Sequence, residues 1–203
     1  MKPILDGMLP TPVYINFIDR NFTKDEIQFF ADQSNKCLDR PGNRFTKNTY
    51  ILNCPEMSGI NEFVKKCVND YVDKIIKPID DINVYITQSW INYTDQNGFH
   101  PKHSHPNSYI SGVLYLSADE NKDKISFGKS EPEAIAVKRN LHKLNSPGWW
   151  YNVRSGMMIM FPSSTIHEVK KVEGDHTRIS LSFNTFIKGN LGNVEGSLMK
   201  LII

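Results

Sequence analysis

The sequence predicts a mainly β fold with helices at its N-terminal end, a β-sandwich or jelly roll braced on one face. Two observations carry that reading. From residue 83 onward, apolar and polar residues alternate with the period of a half-buried strand, in runs separated by turn signals. Before residue 83, apolar residues twice recur at the spacing of a helix that presents one face to a core. A chain of 203 residues is long enough for one domain with a substantial core.

The elements follow in order. Residues 1–20 read as extended and Pro-punctuated, with Val13-Tyr14-Ile15 adding a strand. Thr23 and Glu26 form a capping-box pattern, and Ile27, Phe30, Ala31, Ser34, Cys37 and Leu38 continue it as a helix over about 23–38. Residues 39–57 are polar and rich in Asn, Pro and Gly, a loop with one short strand at Tyr50-Ile51-Leu52. A second helix carries an unbroken apolar stripe from Ile60 through Val64, Cys67, Val68 and Tyr71 to Ile76, and Pro78 ends it. Strands are then expected at Val84–Tyr93, Tyr109–Ser117, Lys124–Phe127, Trp149–Val153, Met157–Phe161, Ile166–Val169 and Thr177–Ile187. Residues 128–148, polar and connecting two strands, are long enough for a lid or an edge insertion. The chain divides on this reading into a helical support region (1–82), a β core (83–187) and a C-terminal tail (188–203).

Composition narrows the function classes. A net charge of +2 with scattered lysines gives no reason to expect nucleic acid. No apolar run approaches the roughly 18 residues that span a bilayer, and Met1 is followed by no signal-peptide pattern. Cys37, Cys54 and Cys67 are odd in number and lack metal-like spacing, so they read as buried thiols in a reducing compartment, the cytoplasm by default. Oligomeric state is left open.

Chemistry concentrates in two places. His100, His103 and His105 lie within six residues, and His103 and His105, at i and i+2 on an extended segment, point the same way. A solvated polar loop is the plain alternative, yet two neutral imidazoles on one face are good ligands for Fe, Zn, Cu or Ni. His100 is off that register and reads as exposed or as support behind the ligands. His167 follows a buried strand and a Pro-Ser-Ser turn, placed to supply a third imidazole from a distant strand. Downstream, Arg178, Ser180 and Ser182 share one strand face and Ile179, Leu181 and Phe183 the other. In a barrel with a polar interior, that arginine and its hydroxyl neighbours form a carboxylate clamp. Trp90, Tyr109, Trp149, Trp150 and Tyr151 line a substrate groove or pack the core.

These stretches resemble a known family. Leu9-Pro10-Thr11-Pro12-Val13-Tyr14, Ser89-Trp90-Ile91-Asn92-Tyr93, His103-Ser104-His105-Pro106, Ser111-Gly112-Val113-Leu114-Tyr115-Leu116, Phe161-Pro162-Ser163 with His167, and Arg178-Ile179-Ser180-Leu181-Ser182-Phe183-Asn184 occur in the order found in iron(II)- and 2-oxoglutarate-dependent oxygenases, in particular a group common in phages and marine bacteria. The resemblance implies a double-stranded β-helix, a jelly-roll and cupin relative, braced by two or three helices, with iron at its open end. It implies His103, His105 and His167 as metal ligands and Arg178 as the anchor of the far carboxylate of 2-oxoglutarate. Ser180, Tyr115 and Tyr93 would assist in cosubstrate binding, by similarity to the superfamily's prolyl hydroxylases. Implied with them are O2 as oxidant, ascorbate as supporting reductant, hydroxylation of an unidentified substrate with a peptidyl (prolyl) residue as the guess, and host cytoplasm if the chain is phage-encoded. One departure stands out: most of the superfamily has Asp or Glu where this chain has His105, and no acidic residue lies between Asp95 and Asp119 to replace it. Two other readings compete: a three-histidine cupin-type dioxygenase that does without 2-oxoglutarate, and a non-catalytic β-sandwich that serves as a structural or binding module.

Overall fold

A computed structural model of the chain describes residues 3, 7, 10–128, 137–142, 144–192 and, for the backbone alone, 201–202. Among the described residues, twelve strands and two α-helices succeed one another as β1 (Tyr14–Phe17), α1 (Lys24–Ser34), β2 (Cys37–Arg40), β3 (Asn43–Thr46), α2 (Ser58–Tyr71), β4 (Ile82–Thr94), β5 (His100–His103), β6 (Ile110–Ser117), β7 (Lys124–Gly128), β8 (Gly148–Asn152), β9 (Met157–Pro162), β10 (His167–Val169), β11 (Arg178–Leu191) and β12 (Leu201–Ile202). They build two antiparallel sheets. The larger runs β1-β9-β6-β11-β4-β3-β2, with β12 on β11, and the smaller runs β5-β10-β7-β8. This is the double-stranded β-helix expected of the sequence.

The alternation along β11 and β6 decides what lies between the layers. Leu181 pairs with Leu114 and Phe183 with Gly112, and all face the helices. There they join Phe30, Ile60, Val64, Cys67, Tyr71, Ile91 and Met160 in the main core. Gly112 is required at its position because a Cβ there would overlap the Phe183 ring. The opposite face of the large sheet looks at the small one. Toward one end of that gap Tyr115, Ile125, Phe127, Val153, Ile159 and Phe161 close a second apolar cluster. Toward the other end the inward side chains are polar: Arg178, Ser180 and Ser182 on β11, paired with Thr94, Asn92 and Trp90 on β4. A polar stripe between two sheets is costly unless its groups find partners or a ligand. That stripe locates the site.

Several boundaries differ from the sequence reading for local reasons. Helix α1 is capped by Thr23 and Glu26 in the expected capping box, but it ends at Ser34 instead of continuing to residue 38. Its buried face is Glu26, Phe29, Phe30 and Gln33, and Ile27 is exposed. Glu26 is buried because Arg20 grips it through two short bonds, 2.6 and 2.8 Å. Cys37 and Leu38 then turn into strand β2, which hairpins with β3. Ile51 and Leu52 are buried but belong to a 3-10 turn, not a strand; only Tyr50 bridges to Ser89. Helix α2 continues as a π turn through Ile76, before Lys77 adopts a left-handed conformation ahead of Pro78.

The expected support region is not purely helical, since β1, β2 and β3 within it extend the large sheet. Strand β11 runs past residue 187 to Leu191, into the expected tail. Of the expected 128–148 insertion, residues 129–136 and 143 lie outside the described residues, as does Leu9. Among the described residues no helix is long and apolar enough to cross a membrane.

Candidate metal and cosubstrate site

Three histidines converge at the open end of the gap between the sheets. His103 ends β5 and His167 opens β10, and the two are direct register partners on neighbouring strands. His105 lies just beyond β5 and folds back beside them. Ring centroids are separated by 4.3 Å (His103–His167), 5.0 Å (His105–His167) and 5.1 Å (His103–His105). One ring nitrogen from each lies within 4.8 Å of the others, close enough to share one ion. Each Nδ1 is committed elsewhere. His103 Nδ1 is 2.8 Å from the Pro101 carbonyl, and His167 Nδ1 is 2.9 Å from the Thr165 carbonyl. A carbonyl only accepts, so both rings carry their proton on Nδ1 and leave the Nε2 lone pair free.

His105 is fixed by a longer relay. Its Nδ1 is 2.7 Å from Ser111 Oγ, and that hydroxyl donates its single proton to Asn184 Oδ1 at 2.8 Å. Ser111 can therefore only accept from His105 Nδ1–H, which frees the third Nε2 as well. The turn between β9 and β10 reinforces the arrangement: His105 N–H donates to the Ser163 carbonyl, and the Ser163 hydroxyl is 2.7 Å from Ser111 Oγ. Thus the Pro-Ser-Ser turn that precedes His167 also pins the loop carrying His105.

Behind the histidines lies a small cavity of about 50 Å³, open to solvent at its mouth, with Arg178 in its wall. Arg178 is 1 % exposed, and among the described residues its Nε and Nη1 have no partner. Its one bond is a long one, Nη2 to Thr94 Oγ1 at 3.5 Å. Burial works against the guanidinium charge, with Tyr115 and then Asp123 acting in its favour from nearby. An arginine keeps its proton even so. A buried cation without a carboxylate costs several kcal/mol of solvation, on the order of that of any desolvated ion. A bound anion would offset that cost directly.

The expected site residues separate cleanly by strand face. His103, His105, His167, Arg178, Ser180 and Tyr115 all line this cavity. Tyr115 is fully buried there, and burial pushes its hydroxyl up to about 12, so it remains a neutral donor. Tyr93 does not line it. It pairs with Ile179, on the helix face, and its hydroxyl donates to the Phe30 carbonyl at 2.6 Å. Asn92, Thr94 and Trp90 occupy the inward positions instead. Of the aromatic groove candidates only Trp90 reaches the cavity; Tyr109 packs toward the helices, Tyr151 against Phe127, and Trp149 stacks on Trp150 at the edge of the small sheet.

His100, which the sequence reads as exposed or as support behind the ligands, is half-buried in the cavity wall. Its Nε2 is 3.2 Å from the same Thr94 hydroxyl that receives Arg178. Arg40 at the cavity mouth was missed entirely.

Burial pushes His167 and His100 down to about 3 and His105 to about 4. Above pH 6.5 these rings are neutral both folded and unfolded, and their contribution to stability is complete. Below it the unfolded chain takes up protons that the folded one refuses, so stability is lost as pH falls toward the folded values. Each ring contributes a slope of up to about 1.4 kcal/mol per pH unit. The metal-free protein is therefore expected to melt at clearly lower temperature at pH 5 than at pH 7. A melting temperature that is level across that window contradicts the burial of these imidazoles.

Comparison with known proteins follows the same line. Residues 88–184 match a family model described as "Putative 2OG-Fe(II) oxygenase". The chain is similar to the non-heme alpha ketoglutarate dependent epimerase SnoN of nogalamycin biosynthesis at 9% identity and TM-score 0.61, covering 87% of this chain and 78% of that one. It is similar to a Pseudomonas putida prolyl-4-hydroxylase at 12% identity and TM-score 0.53, covering 86% and 92%. An oxidoreductase of the 2OG-Fe(II) oxygenase family from Burkholderia pseudomallei aligns at 17% identity and TM-score 0.47, over 74% of this chain and 63% of its own length. No curated protein matches in sequence.

Proposed function

We propose, from the match of residues 88–184 to a family model described as "Putative 2OG-Fe(II) oxygenase", that this chain is an iron(II)- and 2-oxoglutarate-dependent hydroxylating dioxygenase with an all-histidine iron site. His103, His105 and His167 would hold the iron through Nε2. Arg178 would grip the far carboxylate of 2-oxoglutarate, with Ser180 and Tyr115 as neutral donors beside it. When bound, iron with 2-oxoglutarate and O2 supplies the oxidising power for a C–H hydroxylation, with release of succinate and CO2.

The observation that carries this reading is the unpartnered guanidinium buried beside three free imidazole nitrogens. The donor set fits the ion: three neutral nitrogens on one side suit iron(II) and leave room for further ligands. The protein's part is to orient and to exclude water. Arg178 fixes the acid end-on through a rigid fork, which selects the length of a diacid. The apolar cluster around Phe127, Phe161 and Ile159 seals the rear of the gap against solvent. Support for the cosubstrate also comes from SnoN, whose structure was obtained with Fe3+ and alpha ketoglutarate. The prime substrate is less constrained; similarity to the Pseudomonas putida prolyl-4-hydroxylase makes a peptidyl prolyl residue the first to try.

A three-histidine dioxygenase that needs no keto acid is favoured by the absence of a carboxylate ligand, but it leaves Arg178 buried for no purpose. One assay separates the two. Protein purified without oxygen, then given Fe(II), ascorbate, 2-oxoglutarate and air, is expected to form succinate slowly even without a prime substrate. Absence of both succinate and any 2-oxoglutarate binding to the metal-loaded protein would sink the proposal.

A further inference from the structure

The cavity's charge points to what enters it. Four histidines and two arginines line it, and no aspartate or glutamate does. Arg178 is accounted for by the far carboxylate of the cosubstrate. Arg40 is not. It lies at the end of β2, paired in register with Asn43 on β3, and it projects on the same face of the large sheet as Phe45, Asn92 and Trp90. Strands β2 and β3 continue the large sheet beyond β4, whereas β5 is the edge of the small sheet. The face carrying Arg40 and Phe45 is therefore a shelf at the mouth of the cavity, open where the smaller sheet stops.

On this shelf the central carbon of the Arg40 guanidinium lies over the Phe45 ring, 3.8 Å from its centroid. The ring holds the fork in place by a cation–π contact, and among the described residues nothing hydrogen-bonds the donor edge of the guanidinium. Among the described residues no carboxylate lies within ion-pairing distance of Arg40. Leu38 on the same face is 45 % exposed, and Trp90 lies between the shelf and His105, its ring 6.3 Å from that imidazole. A preset fork on an aromatic ring, with apolar surface beside it, is a receptor for an oxyanion on an apolar frame. We propose that the prime substrate carries such an oxyanion, a carboxylate or a phosphate, which docks on Arg40 while its hydrophobic part lies along Leu38 and Trp90.

The inference rests on the oxygenase reading, because it takes Arg178 to be used by the cosubstrate. The charge balance of the loaded site supports it on the same premise. With neutral imidazoles as the only ion ligands, a divalent ion and Arg178 outweigh the two charges of 2-oxoglutarate, so a neutral or cationic substrate gains nothing on entering while an anionic one does.

The test uses protein loaded with Ni(II), which does not turn over, and saturated with 2-oxoglutarate. Benzoate, phenyl phosphate and benzamide are titrated by calorimetry, the first two distinguishing the carboxylate from the phosphate source. Saturable binding of benzoate or phenyl phosphate that weakens at least tenfold in Arg40→Ala, with Arg40→Lys intermediate and benzamide not binding, is the expected result. Equal binding by benzamide, binding unchanged in Arg40→Ala, or no binding of either anion to the wild type overturns it. Uptake of 2-oxoglutarate by Arg40→Ala must equal that of the wild type; a loss there would give Arg40 to the cosubstrate and equally overturn the assignment. Failure of the wild type to take up Ni(II) and 2-oxoglutarate at all would be read separately, as failure of the oxygenase proposal beneath it.

Discussion

Arg178→Ala is expected to raise the 2-oxoglutarate requirement roughly 30-fold to several-thousand-fold while leaving metal affinity nearly unchanged, the loss of a bidentate buried ion pair costing on the order of 2–5 kcal/mol. The size follows from where the guanidinium sits. Two of its nitrogens have no partner among the described residues, and on a wall that solvent barely reaches the ligand's carboxylate supplies the compensation that water would otherwise give. Removing the arginine leaves that carboxylate desolvated among neutral groups of the wall such as Ser180, Tyr115 and His100. The free protein should not suffer in proportion. Deleting an uncompensated buried cation relieves a penalty, so Arg178→Ala is expected to be as stable as the wild type without ligand, or more so. Thermal melting with and without 2-oxoglutarate reads both effects together. A variant whose cosubstrate dependence matches the wild type would remove Arg178 from the site.

Much of this architecture was legible because strand periodicity reports burial directly. The alternation Arg178-Ile179-Ser180-Leu181-Ser182-Phe183 assigns two faces before any coordinates exist, and the structure keeps both. The error at Tyr93 came from setting that same rule aside. Strand β4 pairs antiparallel with β11, so if Ser180 faces inward its partner Asn92 does too, and Tyr93 must face the helices. Transfer by likeness placed it inward; period two would not have done so.

Other features needed tertiary information. The span Tyr50-Ile51-Leu52 is apolar because it is buried, and a short buried run looks alike as strand or turn. Helix α1 was over-extended because Cys37 and Leu38 fit a helical stripe, while the hairpin that claims them depends on β3 pairing with β4. Arg40 carries no signal of its own: its meaning comes from the small sheet ending where the large one continues. His100 fell out of the i, i+2 register and acquires a place only through Thr94, a residue from another strand.

The second large effect concerns the ion itself. His167→Ala is expected to abolish stable metal uptake, a heavier loss than the roughly 10–100-fold that removal of an outer hydrogen-bond partner causes. Three neutral nitrogens with no carboxylate among them give the protein little electrostatic hold on a divalent ion, so the site depends on geometry and on all three lone pairs being free. His167 is the member that geometry can least replace. It is buried, it contacts both other rings, and its Nδ1 proton is spent on the Thr165 carbonyl. It also packs against Phe161, with ring centroids 4.7 Å apart, which holds the ring in place. Two histidines away from the cluster serve as controls. His142 is exposed, and His176 is bonded to the buried Asp123 carboxylate at 2.8 Å. Alanine at either should leave Co(II) uptake at the wild-type level, although the second exposes Asp123 to the loss of a partner and should lower the melting temperature. Visible absorption of the Co(II) protein and metal content after dialysis measure this directly. Equal cobalt retention in His167→Ala and the wild type would mean that the three imidazoles meet without holding an ion, and Arg178 would then be left with no metal-bound acid to orient.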